Sequence, residues 1–477
     1  MISLITQERS PIHLICVLVF NLLKMKKKIN LIYALCLTVI VGCKTGDDLY
    51  LSPNDPAEAS LSTMLTALEV NTFQNVEGEL ARMSSILVQH SAGLGAQYAD
   101  VQNYRITQGD FDNMWEGLYT GTMNNAKLII GKAGTGSPYY SGISKVLMAI
   151  NLGLATDLWG DVPYSEAFRL DEGIRTPKLD SQEDIYKSID GLLGDAIKDF
   201  STAESANLFI PASDDLIFEG DVSKWIKASY TLRARYLNRI AGKSTGLDAT
   251  ILDYLSKGIT TNAGNLEAIH SASGGAQNQW GAFQNGRAGY LGANKVFVDR
   301  LNAKNDPRLK FFLSPNKAGQ YIGADINATS ISPEVAIVGP FFAVGKNYPI
   351  ITYYEAKFIE AEVKNRQGSN ASSVLNDAIK ANVAYVTGTD NGSSVATYTT
   401  ASKTDILTEK WVAMYNQSIE SYNDYRRTGI PVLTPRPQSA GAELSYTPKR
   451  FPFPQTTTLY NPNAKNIPMD VPVWWGM

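Results

Sequence analysis

Apolar residues recur every three to four positions through much of the chain, the spacing of a buried face on an α-helix. Ser181 and Asp184 form a capping-box pattern, and the apolar positions Ile185, Ile189 and Phe200 follow it. A second apolar stripe covers 222–240 and includes Trp225. We predict helices over both segments and over 59–70, 74–90, 110–131, 142–158, 247–257, 352–366, 371–386 and 404–422.

Strand-like alternation is scarce and short, with examples at 216–218 and 338–344. The helix lengths and short turns indicate tetratricopeptide-like pairs, although no repeat is visible as sequence self-similarity. The fold class we predict is mainly α, a tetratricopeptide-like helical-repeat scaffold with long loops and a few short strands. Long connections rich in Gly, Asn, Ser and Pro lie between the predicted helices, at 91–109, 258–293, 314–350, 387–403 and 429–477. Loops of this length inside a compact chain are usually functional.

Composition narrows the class of protein. The chain has 477 residues, 44% of them hydrophobic and 19% charged, with a formal net charge of −3. This balance is globular, and it provides no basic field for a nucleic-acid backbone. The cysteines, Cys16, Cys36 and Cys43, all lie near the amino terminus, and there are 3 histidines. A disulfide framework, a cysteine-based or multi-histidine metal site and a catalytic thiol are therefore excluded from the remainder, and we expect no cofactor.

The amino terminus has the pattern of an export signal. The apolar runs 11–23 and 29–42 are each shorter than the roughly 20 residues that a membrane-spanning helix needs. The second run follows a lysine-rich stretch and ends in small residues, as a signal peptide does. We predict a signal peptide over 1–42, with Met25 as an alternative start, since the residues from Met25 already form a complete signal.

The end of this signal, Ile40-Val41-Gly42-Cys43, resembles a bacterial lipobox. Such a signal is cut before the cysteine, which then receives acyl chains, and each buried methylene adds about 0.8 kcal/mol of membrane affinity. The alternative is a cysteine that happens to end an ordinary secretory signal. We expect Cys43 to be lipidated and 43–477 to form one domain. The following Lys44, Asp47 and Asp48 resemble a tag for the outer face of the outer membrane.

A series of short stretches lies in one order along the body, at 157–167, 182–186, 220–225, 232–236, 306–309, 353–362, 409–413, 424–431 and 448–454. Together with the lipobox, they resemble the SusD/RagB family of outer-membrane nutrient-binding lipoproteins, in its SusD-like subgroup. The resemblance implies capture of a nutrient, most often a glycan and in some relatives a peptide. It also implies partnership with a SusC-like, TonB-dependent outer-membrane barrel. The stretches themselves have structural interpretations, such as helix ends and ion pairs.

No catalytic constellation stands out. The carboxylate pairs Asp157 with Asp161 and Glu355 with Glu362 are candidates for glycosidase chemistry, but each pair lies within one short stretch of chain. Packing or ion pairing explains these carboxylates better, and no nucleophile elbow occurs. We predict that the protein is not an enzyme. A lipid-anchored α/α-fold polysaccharide hydrolase is the alternative, and a helical scaffold for a protein partner alone is a third hypothesis.

Two glycine-rich loops, 91–109 and 276–290, interleave aromatic residues with Asn, Gln and Arg. Aromatic faces with amide and charged hydrogen-bonding groups are typical of ligand sites. Trp280 is the leading candidate, because it lacks the periodic apolar neighbours that surround Trp225. The alternative is that these aromatic side chains fold back onto the body. The candidate ligand-binding residues are Trp280, Phe283, Arg287, Tyr290, Tyr98 and Tyr104.

Overall fold

Helices make up most of the secondary structure in a computed structural model, which describes residues 59–328, 330–389 and 392–477. Residues Leu61–Met477 belong to one compact unit. In chain order the α-helices are α1 (Leu61–Glu77), α2 (Glu79–Leu87), α3 (Ala96–Gln102), α4 (Asp112–Glu116), α5 (Asn124–Ala133), α6 (Pro138–Trp159), α7 (Gln182–Phe200), α8 (Val222–Ile240), α9 (Asp248–Lys257), α10 (Gln279–Gly286), α11 (Lys295–Ala303), α12 (Leu309–Phe312), α13 (Tyr353–Arg366), α14 (Ser372–Thr387), α15 (Lys403–Ala413), α16 (Ser418–Thr428) and α17 (Gln455–Tyr460).

Neighbouring helices in the sequence pack against each other along much of this order. Helix α6 packs on α5 and α7, α7 on α8, α8 on α9, and α13 on α14. The Ser181 hydroxyl caps α7 by accepting a hydrogen bond from the Asp184 amide at 3.2 Å, and Asp221 caps α8 in the same way. The prediction of a mainly α, tetratricopeptide-like scaffold is confirmed.

The strands are short and join distant parts of the chain. They form antiparallel pairs: β1 (Ser91–Gly93) with β3 (Leu291–Ala293), β2 (Leu266–Ala268) with β6 (Tyr348–Ile351), and β4 (Leu313–Ser314) with β5 (Ile337–Val338). The β1–β3 pair brings the two candidate binding loops together.

Local elements differ from the predictions where polar or distant contacts decide them. The strand expected at 216–218 is a turn, since the Asp215 carboxylate accepts hydrogen bonds from the backbone amides of Ile217 and Phe218 at 3.1 and 3.0 Å. The strand expected at 338–344 ends at Val338 and continues as a 3₁₀ turn. The helix expected over 110–131 contains a π-helical segment, Gly117–Met123.

The stretches that carry the family resemblance build the interior. Arg235 forms a buried ion pair with Glu355, and Arg239 forms one with Asp157. At the end of α6, Gly160 has φ +88°, and a methyl group there would lie 2.1 Å from the Arg450 guanidinium. These residues therefore stabilise the scaffold, as their structural interpretation predicts. Within the described residues, no helix is both long and apolar enough to span a bilayer.

Candidate functional site

The two candidate loops meet two further segments on one face of the molecule. The Leu94 amide donates to the Tyr290 carbonyl at 2.9 Å, and the Glu443 amide donates to the Asn103 carbonyl at 2.8 Å. The Arg436 guanidinium donates to the Ala328 carbonyl at 3.1 Å. We call this surface the loop face and define it by residues 94–105, 283–290, 325–328 and 436–443.

A glycine permits close packing on the loop face. A methyl group at Gly95 would lie 2.8 Å from the ring of Tyr290 and 3.1 Å from the side chain of Ile331. No L-residue larger than glycine fits there without displacing the ring, so Gly95 lets Tyr290 pack directly on the first loop.

Two of the candidate tyrosines support this face from beneath. Tyr98 is fully buried, and its hydroxyl accepts a hydrogen bond from Nε of Arg82 at 2.6 Å. Tyr104 is also buried, and its hydroxyl accepts a hydrogen bond from the Arg436 amide at 3.1 Å. The interpretation of Tyr98 and Tyr104 as exposed contact residues is wrong, because each side chain is used to hold neighbouring segments in place.

The interpretation of Trp280 as an exposed loop residue is also wrong. Trp280 lies in the first turn of α10, where the Asn278 side chain accepts a hydrogen bond from its amide at 3.0 Å. Its side chain is 1% exposed and stacks on Phe342, with ring centroids 5.0 Å apart. Phe342 comes from a distant segment, so the apolar partner that sequence periodicity lacked is supplied by tertiary contact.

The other candidates remain accessible on the loop face. Phe283 and Tyr290 are half-buried, with ring centroids 6.3 Å apart in an edge-to-face arrangement, and Arg287 is exposed. The Arg82 guanidinium lies over the Phe283 ring, 4.8 Å from its centroid. This cation–π contact favours one position of the Phe283 ring, so the side chain is held in place before a ligand arrives.

Polar groups line a cavity at the first candidate loop. A cavity of about 280 Å³ is lined by Gln97, Asp100 and Arg105 of the loop face and by Glu79 of α2. Burial raises the pKa of Glu79, although the nearby Arg82 opposes the shift. Amide, carboxylate and guanidinium groups of this kind can form hydrogen bonds with a sugar or another polar ligand.

The candidate catalytic carboxylates are committed to other contacts. Asp157 accepts hydrogen bonds from Arg239 and Tyr186, and Glu355 from Arg235. Glu362 is paired with Lys410 and Arg427. Within the described part of the chain, no group of three or more His, Cys, Asp or Glu side chains is arranged to hold a metal ion.

Sequence reasoning did not single out a second concave region. A cleft of about 840 Å³ is lined by side chains of α4, the π-helical segment, residues 163–177 and α17. Trp115 and Tyr119 lie in its wall. Both residues belong to the segment that we predicted as a helix. An aromatic residue on the apolar face of a helix is expected to pack in the core, so the sequence did not indicate a cleft here.

The helical scaffold thus presents long loops that are joined by hydrogen bonds. A family model described as SusD-like, starch-binding and associating with the outer membrane matches residues 53–454. The chain therefore belongs to the SusD-like family, and the resemblance found in the sequence is confirmed. No curated protein matches this chain.

Solved structures share the fold. A SusD/RagB family protein from Bacteroides thetaiotaomicron is 24% identical, with a TM-score of 0.77 over 88% of this chain and 100% of its own. A protein described as chitin-binding is 22% identical, with a TM-score of 0.75 over 88% and 100% of the two chains. A chitin-binding SusD homolog from Flavobacterium johnsoniae is 20% identical, with a TM-score of 0.74 over 86% and 98%. At these identities the likeness establishes the fold alone.

Proposed function

We propose that this protein captures an oligosaccharide on the loop face at the cell surface and passes it to a TonB-dependent outer-membrane transporter. Membership of a family described as starch-binding and associated with the outer membrane supports the ligand class and the location. A SusC-like barrel partner follows from the same family resemblance. A gene for such a barrel beside this one would support the partnership.

The observation that carries the proposal is that hydrogen bonds join the four segments of the loop face, which carries Phe283 and Tyr290. Their half-buried rings lie near the exposed Arg287 and the first candidate loop, which contributes Gln97. A ring held by Arg82 offers a fixed apolar edge, and the neighbouring polar groups can donate to and accept from sugar hydroxyls. Order before binding reduces the entropy lost when the ligand is bound.

The binding test is calorimetric titration with a soluble malto-oligosaccharide and a soluble chito-oligosaccharide. Arg287→Ala and Tyr290→Ala should each weaken binding by about tenfold. Phe209→Ala is the matched control, because Phe209 is 62% exposed and lies outside the loop face. Unchanged affinity in both loop-face variants, or loss of affinity in the control alone, contradicts the assignment.

The same mixtures distinguish binding from hydrolysis. Chromatography of each oligosaccharide after prolonged incubation should show the starting material alone. Shorter products that accumulate in proportion to protein concentration would favour the lipid-anchored hydrolase. If the protein binds neither oligosaccharide but does bind a protein partner, the hypothesis of a helical scaffold for a protein partner alone is favoured.

The membrane anchor is proposed on the lipobox, which lies outside the described residues. Cys43→Ala should move the protein from the outer-membrane fraction to the soluble fraction, since acylation needs that cysteine. A variant that stays in the membrane fraction after mild washing contradicts the anchor. Deletion of 1–24 should leave export and processing intact, because Met25 heads a complete signal, and lost targeting would show that the longer start is needed.

A further inference from the structure

A cleft between helices, separate from the loop face, has features of a built site. We call it the helical cleft and define it by the side chains of 112–124, 163–177 and 456–461 that surround its cavity of about 840 Å³. Its walls are tied together: the Thr456 amide donates to Oδ1 of Asp112 at 3.0 Å, and the Asn461 side chain donates to the Pro177 carbonyl at 2.8 Å. Three distant segments therefore enclose one volume in the range of ligand pockets.

An aromatic pair forms part of the wall. Trp115 and Tyr119 are stacked, with ring centroids 4.5 Å apart and an interplanar angle of 24°. Trp115 also meets Trp159 and Phe453 edge-on, at 5.3 and 5.7 Å. The Tyr119 hydroxyl donates to the Pro163 carbonyl at 2.8 Å. These contacts hold both rings in place, and neither ring is fully buried.

Two unusual backbone features lie at the same cleft. The π-helical segment Gly117–Met123 carries Tyr119, and π-helical turns inside α-helices are frequently found at functional sites. Phe168, on the opposite segment, has φ +59°, a left-handed conformation that bulky residues rarely adopt. Strain of this kind persists where the surrounding structure enforces it, and it clusters at ligand sites.

Free polar groups complete the lining. Glu116 and Arg175 are exposed, and neither forms an ion pair or side-chain hydrogen bond with the residues that the structure describes. The rim also exposes apolar surface, with Tyr460 77% and Leu170 66% exposed. A carboxylate and a guanidinium that are not used internally, beside a fixed aromatic pair, match the alternating polar edges and apolar faces of a sugar ring.

We propose that the helical cleft is a second carbohydrate-binding site, which takes a short oligosaccharide segment. The proposal rests on the proposed function for its ligand class, but not on the loop face for its location. A polymer that contacts both sites would be held more tightly than by either alone, because the second contact forms within one complex. A concave volume lined by three segments favours a ligand of this size over a flat protein surface.

The test uses the full chain with soluble malto- and chito-oligosaccharides in calorimetric titration, scored for the number of sites. Tyr460→Ala, Arg175→Ala and Glu116→Gln alter exposed side chains, so thermal melting should confirm that each variant is folded. The wild type should bind two oligosaccharides. Each cleft variant should weaken one of the two binding events by about tenfold and leave the other unchanged. Phe209→Ala should match the wild type.

The outcomes separate this inference from the proposed function. If the cleft variants bind as the wild type does while Arg287→Ala loses binding, the helical cleft is not a carbohydrate site and the proposed function stands. If the cleft variants lose all binding while Arg287→Ala loses none, the cleft assignment stands and the loop-face assignment fails. If the wild type binds neither oligosaccharide, both proposals fail for these glycans.

Discussion

Trp280→Ala should destabilise the protein without acting directly on ligand contacts. The Trp280 indole is buried between α10 and the segment that carries Phe342, and it anchors the helix from which Phe283 projects. Truncation leaves a cavity under this helix. We therefore expect a loss of folding free energy and, in the fraction that remains folded, near-normal affinity for oligosaccharide.

The magnitude follows from the buried area and from one polar atom. A tryptophan side chain buries roughly 150–250 Å², which at about 25 cal/mol per Å² corresponds to about 4–6 kcal/mol as an upper bound. The indole N–H of Trp280 is buried and has no acceptor among the described residues. Removal of that group relieves a desolvation cost of about 1–3 kcal/mol, so the net loss should be about 3 kcal/mol.

Trp225 provides the comparison. It is equally buried, but its indole N–H donates to Oδ2 of Asp215 at 2.8 Å. Trp225→Ala removes both the packing and this hydrogen bond, and should cost about 4–5 kcal/mol. The phenylalanine variants isolate the polar contribution. Trp280→Phe should gain about 1–3 kcal/mol from this contribution, because it removes an unpaired N–H, whereas Trp225→Phe should lose about 1–2 kcal/mol through its missing hydrogen bond.

The assay is urea denaturation at 25 °C followed by far-UV circular dichroism, which does not depend on tryptophan fluorescence. Calorimetric titration of each folded variant completes the set. If Trp280→Ala has the free energy of unfolding of the wild type but does not bind oligosaccharide, the reasoning is refuted, since Trp280 would then be a contact residue. Equal losses for Trp225→Phe and Trp280→Phe would refute the account of the indole hydrogen bond.

Three further predictions concern the interior. Burial and the neighbouring Asp215 raise the pKa of Glu69 well above its ordinary value. The stability linked to the protonated form is therefore present below about pH 4 and is lost as the pH rises through the raised pKa. Glu69→Gln should have a higher melting temperature than the wild type at pH 8, and this difference should narrow toward pH 4. Asp157→Ala leaves the buried Arg239 without one of its carboxylates and should cost about 3–5 kcal/mol in urea denaturation, whereas a neutral result would mean that Glu420 alone satisfies Arg239. Gly160→Ala combines a left-handed backbone with a clash at Arg450 and should lower the free energy of unfolding by about 2 kcal/mol or more; an unchanged melting temperature would contradict this.

Local sequence determined most of the long helices and the class of protein, whereas the short helices α3, α10 and α17 lie in segments expected to be loops. The apolar spacing after Ser181 and across 222–240 predicts α7 and α8. A helix that packs on a core needs one apolar face, and residues three or four positions apart in the sequence form that face. The stretches that build the buried ion pairs indicate the family, since Arg235 and Asp157 occur in recognisable local contexts. The export signal is equally local, and it stays a prediction because it lies outside the described residues.

Tertiary structure decided which aromatic residues are accessible. Trp280 and Tyr98 look like loop residues in the sequence, yet both are buried. Trp280 stacks on Phe342, which lies far from it in the chain, and Tyr98 accepts a hydrogen bond from Arg82 of α2. The helical cleft has no sequence signal at all, because its walls come from 112–124, 163–177 and 456–461. Periodicity records how a segment meets the core, whereas exposure and cavity shape depend on which distant segments meet, and only the folded chain brings those segments together.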